Sequence, residues 1–358
     1  MQLLPGTVKN VEDQPTLVIA NRDNAESMRV AAHYRAFRTA AKLLALPLGA
    51  KESPVNLREV ADYKKNIEDP LFAYIAKTGF MPDYIVLSRN IAMQSNALPT
   101  VYGKDGMGSV SVDSLLASSI LRRAGDGAFV SAVPNPYYAG TGRNSLYVRF
   151  SSKRHRSFIV ARLEGTTLAA TLKLVDRARR ATKAQDAPVF ARCMGYPFWD
   201  AQLNDLKTEL NARMIRMPVG SRDLPPLVPY MGYVGPGNVE HVRTQQEENN
   251  ALNFLPGAIA NLSISFTGRA AAWRETEPTP LKEQATVAEL MAHPRGPTVG
   301  TGTITEPYLN YCAQAYPMMR SYLAGMTAGE AITRSFPVLA WKNILIGDPL
   351  VAPFARQN

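Results

Sequence analysis

Short apolar runs that alternate with segments of helical period constrain this chain more than any other feature. Thr16 to Ala20 (TLVIA) is such a run, and polar Asn21, Arg22 and Asp23 follow it, as expected of a buried strand and its exit. Val30, Tyr34, Phe37, Ala41 and Leu44 then recur four and three apart, which predicts one apolar helix face, with Asp23 and Glu26 at the helix start. The grammar returns as a helix around Leu71 to Lys77, a strand from Tyr84 to Leu87, a strand from Phe158 to Leu163, and a helix carrying Leu168, Leu172 and Val175. Further strands are predicted at Pro188 to Ala191, Met214 to Val219, Val228 to Tyr233, Ala258 to Ser265 and Thr298 to Thr303. Helical patterns occupy Ala201 to Met214, Thr286 to His293, Asn310 to Leu323 and Ala328 to Ser335, before the closing segment AWKNILIGDPLVAPF. Strands alternating with helices imply an α/β fold, a three-layer αβα sandwich around a mainly parallel sheet.

The chain of 358 residues is read as a single α/β domain, a length that doubly covered sheets often reach in one unit. Residues 90–156 lack a sustained period and read as an irregular insertion, with a helix at Val112 to Arg122 and a hairpin near Tyr147. A second irregular stretch, Gly235 to Leu255, contains QQEENN; long loops inside compact domains often carry function. No internal repeat or linker interrupts the pattern.

Apolar residues make up 46% of the chain and charged residues 20%, the balance of a globule with a sizeable core. No apolar run approaches the roughly 18 to 20 residues that cross a bilayer, so no membrane span is expected. The beginning, MQLLPGTVKNVEDQP, lacks the features of a signal peptide; any such signal has been removed or never existed. The net charge of +10 would attract anionic partners. The basic residues are scattered among Arg122 and Arg123, the run Lys153 to Arg156, and Arg177, Arg179, Arg180 and Lys183. Without interleaved aromatics they argue against a nucleic-acid groove and for a solvated basic surface.

Ligands of open α/β sheets sit beyond the carboxyl ends of the strands. Those ends supply Gly235, Pro236, Gly237 and Asn238, then Ser265 to Arg269, then Thr303, Thr305 and Glu306. AGTGRN at 139–144 and GTGTIT at 300–305 match neither a P-loop nor a dinucleotide fingerprint, and read as tight turns. No cluster has metal-ligand spacing, so neither metal nor cofactor is expected.

The succession YMGYVGPGN, PGAIANLSISFTGR, VAELMAHPRGPTVGTGTITEPY and ILIGDPLVAPF resembles the second half of a gingipain-type, caspase-like peptidase domain. The chain as a whole, through DPLFAYIAKTGFMPDYIVLSRNI, SVDSLLASSI and FIVARLEGTTLAATLKLVDRA, resembles a bacterial family of unknown function. The first resemblance implies a caspase-like topology, with a catalytic His in a Gly-His-Gly turn and a Cys three residues before a Gly. Here those positions hold Pro236 and Ser265, so it also implies that the dyad is lost and that the protein lies outside the cytoplasm, extracellular or periplasmic.

Proline cannot accept a proton, and a serine hydroxyl is a poor nucleophile without a base in reach. His241, five residues after Pro236, is the one histidine near enough in sequence to serve. His33 is expected at a helix surface, His155 in an exposed basic turn, and His293 at a helix end where a cationic ring suits the dipole. Cys193 and Cys312 are expected to be structural thiols. Glu306 is read as a polar crevice anchor or a turn residue, and Asp113 as the N-cap of the helix that follows it. The leading expectation is a non-catalytic caspase-like domain that binds a partner or assembles with copies of itself. A serine-dependent peptidase or esterase using Ser265 with His241 is the alternative, and a basic-surface binder of anionic polymer the third.

Overall fold

A computed structural model describes residues 11–96, 98–99, 109–140, 148–182, 186–218, 221, 223, 225–235, 250–269 and 285–355. The first apolar run forms β1 (Thr16–Asn21), every residue of it buried. It is joined in one ten-stranded sheet by β2 (Lys42–Leu46), β3 (Tyr84–Leu87), β4 (Ile159–Arg162), β5 (Val189–Arg192), β6 (Met214–Met217), β7 (Pro229–Gly235), β8 (Asn253–Leu262), β9 (Val299–Thr303) and β10 (Asn343–Ile346). The order across the sheet is β6-β5-β7-β8-β9-β10-β4-β3-β1-β2.

Pairing is parallel from β2 through β1, β3 and β4 to β10, and parallel again from β9 through β8, β7 and β5 to β6. Between β9 and β10 it is antiparallel, with Thr303 opposite Asn343 and Gly300 opposite Ile346. The sheet is therefore two parallel halves pointing opposite ways, and their carboxyl edges lie at opposite ends of the molecule. The final strand, which the sequence pattern does not distinguish from the rest of the closing segment, makes this junction.

Helices cover both faces. On one lie α1 (Ala25–Phe37) and α4 (Leu168–Arg179), with Val30, Ala31, Tyr34 and Val175 packed on Val18, Ala20 and Val86, together with α6 (Val287–Ala292). The other carries α2 (Asp69–Thr78) and α3 (Val112–Ala124), whose Leu71, Leu115 and Leu116 pack on Leu17, Ile19 and Ile85. Over the second half of that face lie α5 (Pro197–Leu210) and α7 (Ala315–Leu323), followed by α8 (Ala328–Thr333). The result is the three-layer sandwich that the alternating pattern predicts. No helix among the described residues is long and apolar enough to cross a membrane.

Four local expectations are corrected. Leu44 is not on a helix face: α1 ends at Phe37, and Leu44 pairs with Ile19 in β2. A four-and-three spacing across a helix end cannot distinguish a last turn from the next strand, and ladder bonds to β1 decide it. Asp113 is not the N-cap of α3; Ser111 is, its side chain accepting from Ser114 N. Asp113 is buried and receives two guanidinium hydrogen bonds from Arg162, which also donates to the carbonyls of Ile91 and Ala92. GTGTIT is not a turn but mostly strand β9. Its glycines serve close packing: a Cβ on Gly300 would stand 2.5 Å from Val287 Cγ1, and one on Gly302 2.8 Å from the backbone N of Gly268. His155 is not an exposed basic ring; it is half-buried and stacked on Phe150 at 5.2 Å. The hairpin expected near Tyr147 lies outside the described residues.

Candidate functional site

The carboxyl edge of the second half is built around the turn that leaves β8. Ser263 N continues the ladder by donating to Gly235 O. The chain then folds back, with Thr267 Oγ1 donating to the carbonyls of Leu262 and Ile264, both at 2.8 Å. Gly268 N donates to Thr303 O at 2.8 Å. This close approach requires a bare backbone on both sides, because a Cβ on Gly268 would lie 3.0 Å from the carbonyl carbon of Gly302. Phe266 takes a left-handed φ of 65°, a conformation that costs a bulky residue energy. Its ring lies 3.8 Å beneath the Arg269 guanidinium, which also donates to Ile304 O.

At the tip of this turn Ser265 Oγ donates to Glu306 Oε2 at 2.6 Å. Glu306 follows β9 and is exposed. Its backbone carbonyl accepts from Lys342 Nζ at 2.7 Å, and neighbouring Thr305 Oγ1 donates to Ser109 O. Lys342 is 1% exposed and lies 4.8 Å from the centre of the Trp341 ring. Burial pushes its ammonium down to about 8, although Glu306 opposes the shift.

The structure thus brings together four candidates taken from separate strand ends: Ser265, Arg269, Thr305 and Glu306. Gly235 ends β7, where a Cβ would collide with the Tyr233 hydroxyl at 2.1 Å. Pro236, Gly237, Asn238 and His241 lie outside the described residues. The other histidines stand elsewhere. His33 Nε2 meets Asp176 at 2.8 Å on the helical surface. His293 follows α6, where burial and then Arg295 and Arg177 disfavour its charged form. The cation expected there is instead Arg177, which donates to the carbonyls of Met291, His293 and Pro297.

Both thiols are free and buried. Burial raises Cys193 even though Arg216 Nε reaches its sulfur at 2.8 Å, and burial followed by Glu306 raises Cys312 far above its ordinary value. Neither supplies a ready thiolate. Among the described residues no group of three or more His, Cys, Asp and Glu is placed to hold a metal ion.

Lys342 and Tyr308 are the residues that sequence reasoning missed. A search of strand exits passes over Lys342 because it precedes β10, and only the antiparallel pairing of that strand brings its entrance to the exit of β9.

Fold and site together define a mainly parallel α/β sandwich with a hydroxyl–carboxylate pair at one carboxyl edge. No protein-family model matches the chain, and no curated protein matches it. Among solved structures it is similar to one described as "Structure of Protease", at 10% identity and a TM-score of 0.47, covering 95% of this chain and 78% of that one. It is also similar to an ABC transporter solute binding protein from Clostridium phytofermentas with bound L-rhamnose, at 10% identity and a TM-score of 0.17, covering 80% and 74%. Neither similarity specifies an activity for this chain.

Proposed function

We propose that this chain is a caspase-like domain without cysteine-protease chemistry, and that it binds a partner or assembles with its own copies through the carboxyl edge of its second half, outside the cytoplasm. The observation that carries this reading is the pairing of Ser265 with Glu306. The hydroxyl at the nucleophile position is held by a carboxylate rather than an imidazole, and a serine without an activating base is a poor nucleophile. The buried thiols at Cys193 and Cys312 add support. The polyanion reading loses ground because Arg38, Arg58, Arg162, Arg177, Arg192 and Arg334 are buried rather than displayed.

The same 2.6 Å contact favours one second reading, a serine-dependent hydrolase in which Glu306 orients Ser265. Fluorophosphonate labelling of the folded protein separates the two. The binding reading expects no label; a label on Ser265 that Ser265→Ala abolishes would establish the hydrolase instead. Light scattering over a concentration series reads assembly directly.

A further inference from the structure

The helical layer over the first half of the sheet is unevenly charged. α1 and α4 carry one carboxylate each, Glu26 and Asp176, and both are engaged, Glu26 by Arg89 and Asp176 by His33. The cations of the same helices have no such partner. Arg29, Arg35, Lys173 and Arg179, with Arg180 at the end of α4, are all exposed. Arg35 donates to Ala41 O, Arg180 to Asp176 O, and Arg179 lies 5.2 Å from the centre of the Phe37 ring; no carboxylate among the described residues pairs with any of the five. On the opposite helical face, by contrast, Lys64 and Arg123 meet Asp69, and Arg320 meets Glu209.

α1 and α4 follow parallel strands and run side by side, tied by His33 to Asp176 at 2.8 Å and by Arg179 to Phe37. Arg29 and Lys173 each stand about one turn before the His33–Asp176 contact and Arg180 about one turn after it, which sets their backbones roughly 10 Å apart along and across the helix pair. Ala25, Ala32, Ala36 and Ala169 hold exposed positions on the same helices, so no bulky side chain stands in front of the charges. Beneath Arg180, buried Arg177 adds a guanidinium that donates to carbonyls alone; burial and then Arg180 lower it to about 10.

Like charges gathered this way repel one another, and a surface that supplies anions relieves them. Single-stranded nucleic acid needs displayed rings on which bases stack, and a duplex needs a helix or ribbon that enters a groove. The one aromatic ring of these helices that is not buried, Phe37, is flanked by the guanidinium groups of Arg38 and Arg179, at 4.2 and 5.2 Å. A bilayer rich in anionic headgroups asks for cations on a flat face, and nothing more. We infer that the α1–α4 face docks on an anionic lipid surface through Arg29, Lys173, Arg179 and Arg180. This face covers β1 and β3 in the first half of the sheet, whereas Ser265 and Glu306 stand at the carboxyl edge of the second.

Cosedimentation of the full chain with vesicles of phosphatidylcholine, and with vesicles of equal parts phosphatidylcholine and phosphatidylglycerol, tests the docking. At low ionic strength the mixed vesicles should carry the protein down and the neutral ones should leave it in solution, and added salt should release it. Arg29→Gln with Lys173→Gln should weaken binding about twenty- to thirtyfold, near fivefold for each cation. Lys65→Gln with Lys77→Gln makes the same charge change at exposed positions on the opposite face and should alter binding less than about twofold. Thermal melts of each variant establish that it is folded. Failure to bind the mixed vesicles at low salt, no loss from the first pair, or an equal loss from both pairs overturns the docking. Tighter binding to soluble inorganic polyphosphate than to the vesicles, through the same residues, would overturn it in favour of a polymer.

Discussion

At the carboxyl edge of the first half, Arg89 donates to Glu26 at 2.8 Å, to Glu164 at 2.5 Å and to the carbonyl of Gly165, and Asn90 N donates to Glu164. At the opposite edge, half-buried Ser265 donates to exposed Glu306. The first cluster closes on itself: Glu164 is 2% exposed and spends its oxygens on its own chain. The second stands on a turn held by Thr267 and Gly268, and its carboxylate is exposed. Polar residues at strand exits are therefore ambiguous by type alone; a satisfied, buried network braces the sheet, while an exposed one is accessible to a partner.

Breaking the inner polar structure of the first half should have the largest effect. Asp113→Ala strands the Arg162 guanidinium, itself 0% exposed, and should cost about 3–5 kcal/mol by urea denaturation. A cost near zero would show that this half does not depend on its buried charges. Gly268→Ala probes the backbone on which the second edge rests. Its Cβ would stand 2.9 Å from Ile344 Cγ1 and 3.0 Å from the Gly302 carbonyl carbon, an overpacking worth about 1–3 kcal/mol. Unchanged stability would show that the turn accommodates a side chain where its backbone now packs against Gly302.

Lys342 sharpens the contrast through pH. Its folded value of about 8 is below the ordinary 10.5, so between those values the unfolded chain binds more protons. Stability from this group accordingly rises with pH across that window. Lys342→Met should remove the rise, and the difference in melting temperature between the two proteins over pH 8 to 10.5 measures it. Glu164 moves the opposite way. Burial raises its carboxyl above the ordinary 4.5, against the pull of Arg89, so its contribution is full below that value and is lost as pH climbs through the raised one. Relative to Glu164→Gln, wild-type stability should fall with rising pH in the acid range. The smallest effect belongs to Ser265→Ala, which removes a hydrogen bond at an accessible position and should change stability by about 1 kcal/mol or less. A larger loss would make the pair a structural brace like its counterpart.

Much of the framework was legible. TLVIA, YIVL and the residues around Val160 are short apolar runs that only a doubly covered sheet buries on both faces, and they became β1, β3 and β4. Ser265 and Glu306 were visible as exits of successive parallel strands, which adjacent pairing in the sheet places side by side. Local chemistry also set the caps of α6 and α8, where Thr286 with Glu289 and Thr327 with Glu330 close capping boxes.

What tertiary structure alone decided is direction and partnership. Nothing in NILI tells an antiparallel strand from a parallel one, because both bury the same side chains, and the choice depends on where the preceding helices deliver the chain. That choice reversed the second half of the sheet and separated the two carboxyl edges. It also brought Lys342 under Glu306, and α3 brought Asp113 to Arg162, 49 residues away in sequence. Apolar periodicity is a local property that each segment carries within itself. The pairing of a charge is a long-range property that exists only once the layers have met.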